Sequence, residues 1–184
     1  MRRACAAVLA VSLLAACASD TAEEASQPEP QWHVDCEDLA GGRAGDDFGD
    51  MTLPCLVGDT AVAVGPVEGR PMVISLWASW CGPCVTEAPE VQRFHELIEE
   101  HVDVVGVNTQ DTREHALHFA EHFEWTFPSL VDERGEVLRT QGLTALPAIL
   151  FVDEDGVTVE TLTAADVTTD DLLAEAEEHF GVIL

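Results

Sequence analysis

Continuous apolar stretches alternate with amphipathic ones along most of this chain. "PMVISLWAS", residues 71–79, is apolar and rich in β-branched side chains, which predicts a strand buried on both faces. Spacing then turns helical over 82–100, with Leu97 and Ile98 inward, Glu90, Glu96, Glu99 and Glu100 outward, and a kink at Pro89. "VDVVGVNT", 102–109, predicts a second buried strand. Asp111 can cap a helix running to about Phe123, with Leu117, Phe119, Ala120 and Phe123 as its apolar positions. "FPSLVD", 127–132, predicts a short strand or bend, and "GEVLRTQGL" a short helix ended by Gly142. In "LPAILFVDEDGVTVETL" two strands, 148–152 and 157–162, flank an antiparallel turn. An amphipathic helix follows at 170–180, and "MTLPCLVGDTAVAV" predicts a small hairpin ahead of the first buried strand. The order predicts an α/β sandwich around one mixed sheet.

The opening "MRRACAAVLAVSLLAAC" follows a different pattern. Arg2 and Arg3 precede an apolar core from Ala4 to Ala16, too short for the about 20 residues a spanning helix needs. It reads as an export signal, and "LAAC" resembles the bacterial lipoprotein box. By that resemblance residues 1–16 are cleaved, and Cys17 carries a diacylglycerol with a further acyl chain on its amine, enough for stable membrane anchoring. "ASDTAEEASQPEPQ" is acidic and nearly free of large apolar side chains, so residues 17–31 read as the acylated cysteine and a flexible tether. A lead-in segment, 32–51, then joins a main domain at 52–184.

Length and composition fit one domain with extra segments at its start: 184 residues, 47% of them hydrophobic. The formal charge of −27, from 35 acidic and 8 basic residues, repels phosphate backbones and anionic head groups, which excludes nucleic-acid binding. The acidity serves solubility, with steering of a basic partner as the functional alternative.

The cysteines carry the candidate chemistry. Of six, Cys5 leaves with the signal and Cys17 takes the lipid, which leaves Cys36, Cys55, Cys81 and Cys84 in an oxidising setting. Cys81 and Cys84 form the compact pair. By elimination Cys36 and Cys55 bridge each other as a staple for the lead-in segment; a second redox pair exchanging with the first is the alternative. Zinc bound by all four sulfurs fits poorly, because the 36/55 spacing is no knuckle.

A strand feeding directly into a helix places Cys81 at the helix N-terminus, where unpaired N–H groups favour a thiolate. Gly82 is expected to permit the tight turn, and Pro83 sits in the first turn, where its missing N–H costs nothing. Cys84 returns one turn later at disulfide distance. Such a pair can attack a partner disulfide with one sulfur and release it with the other.

Around "WCGPC", residues from about Thr52 to Leu184 resemble the TlpA/ResA-like branch of thioredoxin-fold proteins. "WASWCGPC" carries the resemblance, together with "FPSLVDERGEVLRTQGLTALPAILFVDEDG". It implies a three-layer thioredoxin-like sandwich with an N-terminal hairpin extension, no cofactor, and a protein thiol–disulfide oxidoreductase anchored outside the cytoplasm. It implies Cys81 as nucleophile, Cys84 as resolving thiol and Pro147 as a cis-proline, with Leu146 and Trp80 beside it on the partner-binding surface. Glu87, three residues after Cys84, is implied as the proton-transfer acid; the position where cytoplasmic thioredoxins bury an Asp is Ser75 here. Ala148 stands where many relatives have Thr after the cis-proline, and the stretch around "EHALHFAEHFEW" does not align securely. Implied partners are exported disulfide proteins, apocytochrome c among them, and a membrane thiol carrier as electron donor.

Other readings compete. Oxidative folding would run the same chemistry in reverse. A copper metallochaperone could add His115, His118 and His122, which share one helix face, although a solvated polar stripe explains them as well. Thiol peroxidase lacks its Thr-x-x-Cys pattern, since Ser79 precedes Cys81 by only two residues. Trp77 and Trp80 read as packing residues flanking the cysteines.

Overall fold

The computed structural model describes residues 34–183. The expected signal peptide, Cys17 and the tether lie outside these residues.

β1 (Thr52–Pro54) and β2 (Ala61–Ala63) pair as a small antiparallel hairpin. The central sheet contains β3 (Met72–Trp77), β4 (Asp103–Thr109), β5 (Ser129–Asp132), β6 (Ala148–Val152) and β7 (Thr158–Leu162), ordered β5-β4-β3-β6-β7. β3, β4 and β5 are parallel, and β6 and β7 run antiparallel to their neighbours. The helices are α1 (Gly82–Ile98), α2 (Arg113–His122), α3 (Glu136–Thr140) and α4 (Thr169–Phe180).

Every residue of β3 is buried, Ser75 included, as expected of a strand covered on both faces. Its side chains alternate between two cores. Val73 and Trp77 pack with α1, α2 and α4; Met72, Ile74 and Leu76 pack with α3, the β1–β2 hairpin and the lead-in segment. The result is the thioredoxin-like three-layer sandwich. Gly106 of β4 is dictated by the first core: a Cβ there would lie 2.3 Å from Ser129 Oγ and 2.9 Å from Trp77 Nε1. The buried Trp77 indole occupies that space instead, stacked on Phe119 at 4.6 Å and edge-on to Trp125 at 4.8 Å.

The lead-in segment and hairpin close the second core. Leu56 donates to the Ser129 carbonyl at 2.7 Å, and Cys55 bridges Leu130, so the β5 edge is covered. At the β6–β7 turn Gly156 (φ 84°) meets Gly45 backbone to backbone; a Cβ would fall 2.2 Å from Gly45 Cα. The Cys36–Cys55 disulfide spans a Cα separation of 6.0 Å, with both residues 0% exposed. It lies in the second core while Cys81 and Cys84 lie in the first.

Three local expectations are corrected. Leu97 is 44% exposed, because α1 turns its Val91, Phe94 and Ile98 stripe inward and leaves Leu97 off that face. Glu90 does not simply face solvent: its Oε2 accepts from Thr169 N–H at 2.8 Å and Thr169 Oγ1–H at 2.6 Å, tying α1 to the start of α4. Asp111 is not the α2 cap; Thr112 is, accepting from His115 N–H at 3.3 Å. The α4 start has a capping box, with Thr168 and Asp171 satisfying each other's backbone N–H groups.

Candidate active site

β3 ends at Trp77, and the chain reaches α1 through Ala78 to Cys81. Cys81 is the N-cap of α1, and its Sγ accepts from Cys84 N–H at 3.2 Å. Pro83 lies in the first turn, where no intrahelical N–H bond is required. The two cysteines form a disulfide with Cα atoms 5.3 Å apart. Both are well covered: Cys81 is 4% exposed and Cys84 2%. A Cβ at Gly82 would meet nothing within 4 Å, so the turn does not need glycine for steric reasons, contrary to the expectation.

Glu87 sits one turn beyond Cys84, 3% exposed, with Oε1 unpartnered among the described residues. Burial pushes its pKa from 4.5 up to about 7. Ser75, on the sheet face shared with Trp77, is 1% exposed and supplies no charge beneath the pair. Pro147 is buried, and the Leu146–Pro147 peptide bond is cis. Its place beside the cysteines follows from register: Ala148, the next residue, pairs with Leu76 near the end of β3 that leads to Cys81. Leu146 is half-buried and touches both cores.

The tryptophans separate. Trp77 is 1% exposed and belongs to the core, whereas Trp80 is 60% exposed, which corrects its reading as a packing residue. Trp80 Nε1–H donates to the Gln110 carbonyl at 3.0 Å. Beside it, the Asp111 carboxylate accepts from Ser79 N–H at 2.7 Å, Asn108 Nδ2 at 3.1 Å and Thr112 N–H at 2.8 Å. Burial alone would raise the Asp111 pKa, but those hydrogen bonds outweigh it and hold the carboxyl below its ordinary value. Asp111 is the site residue that sequence reasoning misplaced. Its signal was present but ambiguous, because an Asp before a helix suits a cap as well as a clamp.

His115, His118 and His122 lie on the exposed side of α2. Their ring nitrogens do not all come within 4.8 Å of one another; among the described residues, the group of three potential ligand atoms that does is Glu160, Glu175 and His179, between β7 and α4. Nor is any helix among these residues long and apolar enough to cross a membrane.

The Redoxin family profile matches residues 43–178. A curated relative, thiol-disulfide oxidoreductase ResA of Geobacillus thermodenitrificans, is 27% identical over 111 residues, 60% of this chain and 63% of the relative. The match thus spans less than two thirds of that relative's length. A solved structure, Mycobacterium tuberculosis DsbF in mixed oxidized and reduced forms, is 26% identical, with a TM-score of 0.65, covering 73% of this chain and 98% of that one. A secreted M. tuberculosis disulfide oxidoreductase homologous to E. coli DsbE, 22% identical with a TM-score of 0.65, covers 73% of this chain and 99% of its own, and supports the fold.

Proposed function

The chain belongs to the Redoxin family, and from that premise we propose that it is a thiol–disulfide oxidoreductase whose working group is the Cys81–Cys84 pair. The observation that carries this reading is Cys81 at the N-cap of α1, its sulfur accepting the Cys84 N–H at 3.2 Å. Each step uses a group already in place. With the pair reduced, the Cys81 thiolate is stabilised by that N–H and by the helix N-terminus. It attacks one sulfur of a partner disulfide; a mixed disulfide forms, and the partner's other sulfur leaves as a thiolate. Cys84 then gives up its proton and attacks Cys81 Sγ, which expels the partner's second sulfur. Two electrons pass from the dithiol to the partner, and Cys81–Cys84 ends as the disulfide seen here.

Glu87 is assigned the proton. A carboxyl with a pKa near 7, one turn from Cys84, is partly ionised at neutral pH and can take the Cys84 proton during release. Pro147, Leu146 and Trp80 are assigned to partner binding, with the Leu146 backbone pairing to the partner's main chain. We assign the reducing direction, outside the cytoplasm, with a lipid on Cys17, electrons from a membrane thiol carrier, and apocytochrome c as the leading substrate. The sequence pattern and the resemblance to the ResA branch support these assignments.

The experiment is capture. A Cys84→Ser variant of the full chain should accumulate a mixed disulfide through Cys81 with its partner, while reduced wild type cleaves insulin disulfides. A reduction potential of about −270 mV or lower marks a reductase and one of about −120 mV an oxidant. Insulin left intact by reduced protein overturns the reading.

A further inference from the structure

We infer that the groove between Trp80 and α2 is a subsite for a large, uncharged apolar side chain of the partner protein, next to the cysteine that Cys81 attacks. The inference rests on the thiol-exchange reading and adds the substrate class. A groove of about 530 Å³ opens beside the dithiol. Trp80, Val85, Phe119 and Phe123 supply its apolar lining, the two Phe rings 4.6 Å apart. Trp80 immediately precedes Cys81; Val85 lies one turn after it and donates its N–H to the Cys81 carbonyl at 3.3 Å. Both are unusually exposed for apolar residues, at 60% and 44%. A partner chain joined to Cys81 therefore lies against this lining while the mixed disulfide exists.

The lining is held in advance. Trp80 is pinned by its bond to Gln110, a residue in the left-handed region (φ 53°), and Ser79 by Asp111, whose side chain is 2% exposed. An exposed indole already fixed in one orientation loses little freedom when a ligand packs on it.

Charge selects the occupant. The chain carries −27, which disfavours acidic segments at long range. Among the described residues no carboxylate and no Arg lines the groove, whose titratable groups are His115, His118 and His122. Asp111 is engaged by its three donors, and Glu121 faces His118 at 3.6 Å. An uncharged Phe- or Leu-like side chain, of the kind an unfolded chain exposes near its cysteines, meets apolar surface without stranding a charge.

The test uses the reduced full chain and two otherwise identical disulfide-bonded peptides, with Phe or Ser beside the attacked cysteine. The Phe peptide should react about tenfold faster or more in kcat/KM, the discrimination expected of an apolar pocket. Val85→Asp and Trp80→Ala, each checked for a wild-type melting profile, should bring that ratio close to one. Equal rates for the two peptides, or a preference that survives both substitutions, overturn the subsite while leaving thiol exchange standing. A dimer in sedimentation that Val85→Asp converts to monomer also overturns it. If neither peptide nor glutathione disulfide is reduced, the thiol-exchange reading itself falls and takes the subsite with it.

Discussion

At Glu87, rate and stability pull in opposite directions. Its carboxyl is 3% exposed and titrates near 7, against 4.5 when unburied. Between those values the folded protein holds a proton that the unfolded chain has lost, so this group's contribution to stability falls as pH rises through the window. Above pH 7 the accumulated cost is about 3 kcal/mol. Glu87→Gln should therefore be more stable than wild type at pH 8 by up to about 3 kcal/mol, with little difference at pH 4. Urea melts at the two pH values, with the Cys81–Cys84 disulfide intact, check this. The same variant should exchange thiols more slowly, and unchanged rates from about pH 5 to 9 would remove Glu87 from the mechanism. The position of Glu87 was legible in its spacing from Cys84. Its titration was not, because a helical Glu at that spacing faces water unless something covers it.

At the scale of elements, the lead-in segment depends on the Cys36–Cys55 bridge, which ties the 3₁₀ turn at Glu37–Leu39 to the end of β1. A closed loop of this size stabilises by about 3 kcal/mol on the chain-entropy view. The Cys36→Ser/Cys55→Ser double variant should lose stability of that order in denaturant melts and still reduce insulin, because the bridge lies in the core remote from Cys81. Lost activity in a folded double variant would instead link the two pairs. Apolar periodicity outlined the helices and strands to within a residue or two: 71–79 became Met72–Trp77, and 170–180 became Thr169–Phe180. Periodicity failed where an element's surroundings decide, as with Leu97, Glu90 and Asp111. An unpaired backbone N–H takes the carboxylate that tertiary packing brings to it: Thr169 at the start of α4 takes Glu90 from the middle of α1, and Ser79 takes Asp111.

For the whole molecule the governing quantity is charge. With −27 on 184 residues, self-repulsion opposes the compact state, and salt screens it. Raising NaCl from about 10 mM, with a Debye length of about 30 Å, to about 1 M, with one of about 3 Å, should raise the melting temperature. A flat or falling salt dependence would show that the charges are locally compensated. This charge, the dithiol and the order of elements are properties of the chain read from end to end, because each is set by composition or by near neighbours. Local spacing also suffices to put Cys81 and Cys84 on one turn, since a helix repeats every 3.6 residues. Only tertiary structure could decide that Glu87 is dehydrated, that Trp80 stands in solvent with its indole pinned to Gln110, and that Cys36–Cys55 lies in the second core. Each depends on which distant residues arrive at one place, and burial, unlike spacing, is a property of neighbours that the local sequence does not name.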